Sequence, residues 1–149
     1  MIALVQRVSK ATVKSLESKK TNNINSGACV LLGVSQEDTE KDVEKIVKKL
    51  VNLRIFKDKD NKMNLNSQDV QAEILLVSQF TLLSNVKKGN RPSFIKAAKP
   101  KEAQELYKAV AKGLRDQHLV IKEGFFGHYM ELELTLDGTV TIHLNSKDL

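Results

Sequence analysis

The sequence predicts a mixed α/β fold, and three observations carry that expectation. Several short segments are apolar in alternation or without a break, the mark of strands. Two longer segments repeat their apolar residues at helical spacing. The two kinds interleave as strands, helix, strands, helix, strands. Two helices cannot cover both faces of so much sheet. One sheet face is therefore expected to pack on helices and another on more sheet.

Taken in order, residues 1–8 alternate and read as a strand, and residues 10–16 read as a second. The polar stretch 17–26, with Asn22, Asn23 and Asn25, reads as a loop. Residues 28–34 are nearly all apolar, as in a strand buried on both faces. A helix is expected over residues 39–53, with Val43, Ile46, Val47 and Leu50 on one face. Asp38 or Thr39 can cap it, Glu40 and Asp42 suit its positive end, and Lys45, Lys48 and Lys49 lie towards the other. Arg54, Ile55 and Phe56 suggest a short strand, and residues 58–62 a turn. Residues 73–77 read as another buried strand, and residues 84–90 as a polar loop. Pro100 suits the first turn of a second helix, whose stripe is Ala103, Leu106, Tyr107, Val110 and Leu114. Two last strands, 129–136 and 140–144, flank Asp137-Gly138, a pair common in hairpin turns.

A chain of 149 residues suits one domain over its whole length, 1–149. Its 41% hydrophobic and 28% charged residues are those of a globular protein. Trp is absent and aromatics reach only 5%, so the core must be aliphatic. The 24 Lys and Arg outnumber the 18 Asp and Glu, for a net charge of +6. That field attracts polyanions such as RNA, though a basic soluble surface accounts for it equally well. Cys29 is the only cysteine and lies in an apolar run, which favours a buried structural thiol over a nucleophile and excludes a cysteine metal site. The opening apolar run breaks too early for a signal peptide, and nothing approaches a membrane span, so the expected location is the cytoplasm.

Conventional catalytic motifs do not appear. His118, His128 and His143 lack metal-ligand spacing and suit surface or structural roles. There is no nucleophile elbow and no phosphate loop. The informative segment is Val77-Ser78-Gln79-Phe80-Thr81-Leu82, where an apolar strand ends abruptly in polar residues. Such an end can face a site, with hydroxyls, an amide and free backbone N–H groups on offer. It can also simply satisfy the end of a strand. A hydroxyl without a base is a weak nucleophile, and no His or acid adjoins Ser78 or Thr81 in sequence.

The segment Ser78-Gln79-Phe80-Thr81-Leu82 resembles the signature of the D-aminoacyl-tRNA deacylases. Other blocks agree in order: residues 1–8, 31–34, 53–56, 62–65, and Gly89-Asn90-Arg91-Pro92-Ser93-Phe94. The resemblance implies a three-layer β/β/α fold and a homodimer with its site at the subunit seam. It implies an enzyme that hydrolyses the ester of a D-aminoacyl-tRNA, using no metal or organic cofactor. Ser78, Gln79, Phe80 and Thr81 would form the catalytic loop, with backbone N–H groups around Phe80 and Thr81 holding the oxyanion. A Gly-Pro pair from the other subunit would screen out L-residues, steadied by Arg7. Lys87, Lys88 and Arg91, with the basic run 96–101, are candidates for the tRNA phosphates; a solvated lysine face is the alternative.

One position departs from the family pattern. The Gly-Pro pair reads Gly138-Thr139 here. The family's Gly-Pro bond is cis; if packing still holds Gly138-Thr139 cis, selectivity for D-residues survives, and if the bond is trans the chiral filter is loosened. A non-catalytic tRNA-binding protein is the reading from another class.

Overall fold

The computed structural model describes residues 1–87 and 89–149, so the candidate Lys88 lies outside the described residues. The first two expected strands are one. Ile2–Ser15 forms β1 without interruption. Its alternation slips in the middle, where Arg7 and Val8 are both buried and Ser9 and Lys10 both exposed. Register shifts against the neighbouring strand at these residues account for the slip. The expected loop after it contains β2, Thr21–Ile24, which turns back antiparallel to β1. Only Ile24 of this strand is buried, so its apolar signal was too weak to read.

β3, Gly27–Gly33, is buried at all but Leu31. α1, Glu40–Asn52, begins after Thr39, whose N–H and Oγ1 both donate to Asp42 Oδ2 at 2.9 and 3.1 Å. The short strand after it is Phe56–Lys57, β4, pairing with Met63–Leu65, β5. The expected turn lies between them and is held by Asp58 Oδ1, which accepts from the N–H groups of Asp60 and Lys62. β6, Glu73–Ser78, runs parallel to β3. α2, Pro100–Asp116, starts on its proline and buries Tyr107, Val110, Ala111 and Leu114. Sequence reading missed β7, Val120–Glu123, a short edge strand parallel to β6 in which only Ile121 is buried.

The expected final hairpin does not exist. Met130–Asn145 is a single strand, β8, antiparallel to β1 along nearly its whole length. Gln6 pairs with Thr141 and Val8 with Leu136, so Arg7 alone faces residues 137–140. Asp137-Gly138 therefore marks an outward bulge in a continuing strand and not a reversal. The Gly138–Thr139 peptide bond is cis.

Strict alternation distributes the core over two faces of the sheet. Ala28, Val30 and Leu32 of β3 and Ile74 and Leu76 of β6 pack with both helices, through Ile46, Leu50, Val110 and Leu114. The intervening Cys29, Leu75 and Val77 point the other way. There they meet Val8, Ala11, Val13 and Ile24, with Leu132 and Leu134 of β8 packed against them. Both helices thus cover one face, and strands cover the other. Cys29 is fully buried, and burial pushes its thiol up to about 12, so it stays a protonated apolar filler.

Candidate active site

The site begins where β6 runs out of apolar residues. Ser78 still pairs with Leu32 of β3, and the Gln79 N–H donates to the Leu32 carbonyl at 2.8 Å. Beyond it the chain tightens into a 3₁₀ turn, Phe80–Leu83, anchored by the buried Leu83. The turn sits directly on the end of β3: a Cβ at Gly33 would lie 3.0 Å from the Gln79 carbonyl oxygen and 3.2 Å from Leu82 Cβ. As the first residues of the turn, Phe80 and Thr81 have no N–H acceptor within it. Among the described residues neither N–H group finds another acceptor. The Gln79 side chain donates to Thr81 Oγ1 and braces the turn.

A cavity of about 340 Å³ opens beside Ser78, Gln79 and Phe80, while Thr81, next along the turn, does not line it. Ser78, Gln79 and Phe80 form one wall, Leu32 and Val34 the floor, and Ala97, Ala98, Pro100, Ala103, Tyr107, Phe126 and Gly127 the remainder. The lining carries no carboxylate, imidazole or amine. Tyr107 donates its hydroxyl to the Leu76 carbonyl at 2.8 Å, and its ring lies 5.8 Å from that of Phe126. Burial pushes the Tyr107 phenol upward, which keeps it a proton donor. Phe80 stands at the mouth, 57% exposed, with its ring 5.0 Å from Phe94 in an edge-to-face pair.

The other predicted residues lie elsewhere. Arg7 is buried under the bulge of β8, where its Nε sits 3.0 Å from Asp137 Oδ2 and Nη1 donates to the Ile55 carbonyl. Gly138 has a φ of +120°, and a Cβ there would come within 2.7 Å of Arg7 Nη2. Arg7 is thus packed against Gly138. Gly138 and Thr139 project into solvent, and neither they nor Arg7 line the cavity. Lys87 and Arg91 are exposed on a loop whose base is closed by the pairing of Asn85 with Ser93. The histidines stay outside the cavity. Nδ1 of His128 lies 2.8 Å from the buried Ser15 hydroxyl, and His118 holds the left-handed position after α2.

Sequence reading missed the far wall of the cavity, from Ala97 to Gly127. Two signals pointed to it. The small residues Ala97, Ala98 and Ala103 leave room around Pro100. Tyr107 also places a hydroxyl in an apolar stripe, which demands a buried partner.

A pair of open backbone donors in a turn that flanks an apolar cavity, with no acid or base in the described lining, can stabilise developing negative charge. Comparison with known proteins identifies the family. The family model described as D-Tyr-tRNA(Tyr) deacylase matches residues 4–145. The chain belongs to this family. A D-aminoacyl-tRNA deacylase of Thermodesulfovibrio yellowstonii is 46% identical over 147 residues, covering 99% of this chain and 100% of the relative. A D-aminoacyl-tRNA deacylase of Bacillus pumilus is 47% identical over 148 residues, at 99% and 100% coverage. Among solved structures, one named c-Myc DNA Unwinding Element Binding Protein superposes with a TM-score of 0.89 at 43% identity, covering 97% of this chain and 98% of that one. A structure of a probable eukaryotic D-amino acid tRNA deacylase shares the fold, with a TM-score of 0.81 at 16% identity and coverage of 96% and 97%. These deacylase relatives match end to end, so the Ser78–Thr81 turn and the Gly138-Thr139 bulge both lie inside the shared domain. No described helix is long and apolar enough to cross a membrane.

Proposed function

We propose that this chain hydrolyses the ester joining a D-amino acid to the terminal ribose of a tRNA, a proofreading step in translation. One observation carries the reading: the turn that holds the unpartnered N–H groups of Phe80 and Thr81 flanks an apolar cavity, which Phe80 lines, in a chain of the deacylase family. The cavity suits a flat nucleoside base, and the ester carbonyl then lies at the turn. Water attack turns that carbonyl into a tetrahedral oxyanion, which the two N–H groups hold. The lining offers no side-chain base, so the substrate's own terminal 2′-hydroxyl relays the proton.

The working unit is a homodimer of a single-domain chain, residues 1–149, with helices, sheet and sheet in three layers (β/β/α). Supporting this, β8 has only β1 as a strand neighbour, and its exposed bulge presents Gly138 and Thr139 with Leu136 41% exposed beside them. The bulge of one copy enters the site of the other and meets the amino group of the substrate. Arg7 fixes the bulge from beneath. A D-residue turns its side chain away from the bulge, and an L-residue collides with it. Lys87 and Arg91 meet the tRNA backbone, and the protein works in the cytoplasm.

Deacylation of matched D-, L- and glycyl-tRNAs by the purified protein tests this, with Thr139→Pro alongside. Hydrolysis of the D-ester at least a hundredfold faster than the L-ester is expected. Equal rates on both would defeat the chiral filter, and tRNA binding without turnover would leave a non-catalytic binding protein.

A further inference from the structure

Residues 74–101 contain no Asp or Glu, yet carry Lys87, Lys88, Arg91, Lys96, Lys99 and Lys101. Among the described residues, Lys96 and its basic neighbours in this segment form no ion pair. Ile95 lies inside this cationic segment and is 81% exposed, the most exposed of the large hydrophobic residues. It does not hang on a loose loop. Gln36 Nε2 donates to the Ile95 carbonyl at 2.7 Å, and the Gln36 N–H donates to that of Lys96 at 3.0 Å. Ser35 and Ala97 then form a β-bridge. An ordered backbone that holds an aliphatic side chain out in water, beside unpaired cations, has the character of a contact surface.

Its position says what it contacts. The segment 94–98 divides two hollows. Ala97 and Ala98 face the cavity beside the 3₁₀ turn, while Ile95 and Lys96 face a second hollow of about 290 Å³ that Leu83 also lines. Phe94 packs on Phe80 at the divide. A chain leaving the first cavity over Phe80 therefore meets an apolar ledge with a cation next to it. We propose that the Phe94–Ile95 ledge with Lys96 binds the nucleotide preceding the terminal one, its base on Ile95 and its phosphate at Lys96. This rests on the deacylase reading, which places the terminal nucleoside in the first cavity. Charge complementarity selects a nucleic-acid strand over an apolar partner: the segment carrying the ledge has no acid, and of the two carboxylates in the second hollow, Glu37 and Asp38, Asp38 is already paired with the N-terminal amine.

Two esters separate the ledge from the catalytic turn: D-tyrosyl adenosine, and the same D-tyrosyl ester on the dinucleotide cytidylyl-adenosine. Wild type is expected to hydrolyse the dinucleotide ester with a kcat/KM roughly tenfold higher. Ile95→Ser collapses that ratio towards one and leaves the nucleoside ester untouched. Ile95→Tyr, which offers a ring for stacking, widens it. Lys96→Ala lowers the salt dependence of dinucleotide binding by about one counterion. A ratio unchanged in Ile95→Ser overturns the ledge, as does dissociation of a dimer by that variant in sedimentation, which makes the patch a subunit contact. Failure of wild type to cleave either ester overturns the deacylase reading instead. In that case fluorescence anisotropy of the unacylated dinucleotide still decides the ledge: weaker binding by Ile95→Ser supports it, and equal binding ends it.

Discussion

At Thr81 the backbone and the side chain can be asked separate questions. Its N–H has no acceptor among the described residues, while its hydroxyl only accepts from Gln79. Replacing Thr81 by the matching α-hydroxy acid removes the N–H and leaves the side chain in place. That exchange is expected to lower kcat by about 10²–10³-fold, the usual cost of one oxyanion donor. Thr81→Ala is expected to cost less than tenfold. Single-turnover deacylation measures both, and the reverse order would make the hydroxyl the working group. This distinction explains why composition was silent about the site. A backbone donor is present in every residue except proline, so residue type alone cannot mark it. Ser78 and Thr81 stood out only because a strand of apolar residues stopped at them.

At the scale of elements, β3 and β6 approach unusually closely at one end. A Cβ at Gly27 would fall 1.9 Å from the Glu73 carbonyl oxygen, so no side chain fits there without parting the strands. Gly27→Ala is expected to destabilise the fold by about 3 kcal/mol, read from urea denaturation. Because β6 carries the 3₁₀ turn of the proposed site on its far end, deacylase activity should fall with it. A Gly27→Ala protein of unchanged stability would show that the two strands do not meet as described. The strong elements were readable because their signals are local. The α1 stripe, the α2 stripe behind Pro100, and the apolar β3 and β6 each announced themselves within a dozen residues. β2 and β7 did not, since each buries a single side chain, and β7 besides owes its pairing to β6, far back along the chain. Asp137-Gly138 misled for the same reason. The pair has the chemistry of a turn, but whether the chain reverses there depends on β1, which continues alongside β8 and holds it straight.

At the scale of the molecule, the last residues are tied back to α1. Asp42 is buried and accepts from the Ser146 hydroxyl at 2.6 Å as well as from Thr39. Burial alone would raise its carboxyl, but the hydrogen bonds of Ser146 and Thr39, with the charge of Lys147, outweigh it and hold the group well below the usual carboxylate range. A depressed folded-state pKa contributes stability that is complete above the ordinary Asp value near pH 4 and fades as pH falls towards the folded value. Asp42→Asn is therefore expected to cost about 2 kcal/mol at pH 7 and progressively less below pH 4, measured by denaturation across pH. A difference that persists undiminished in strong acid would remove the charge from the account.

The sequence by itself determined the mixed α/β class, both helices, the buried strands β3 and β6 and the place where the 3₁₀ turn begins. Each of these follows from periodicity or from an abrupt change of polarity within a short stretch. Tertiary structure alone decided that β1 and β8 run as unbroken partners and that Arg7 lies beneath Gly138. It alone decided that Tyr107, Phe126 and the alanines before α2 close a cavity against the turn. The physical reason is distance along the chain: a strand's direction, a buried cation's partner and a cavity's far wall are set by residues brought together only when the sheet closes on the helices.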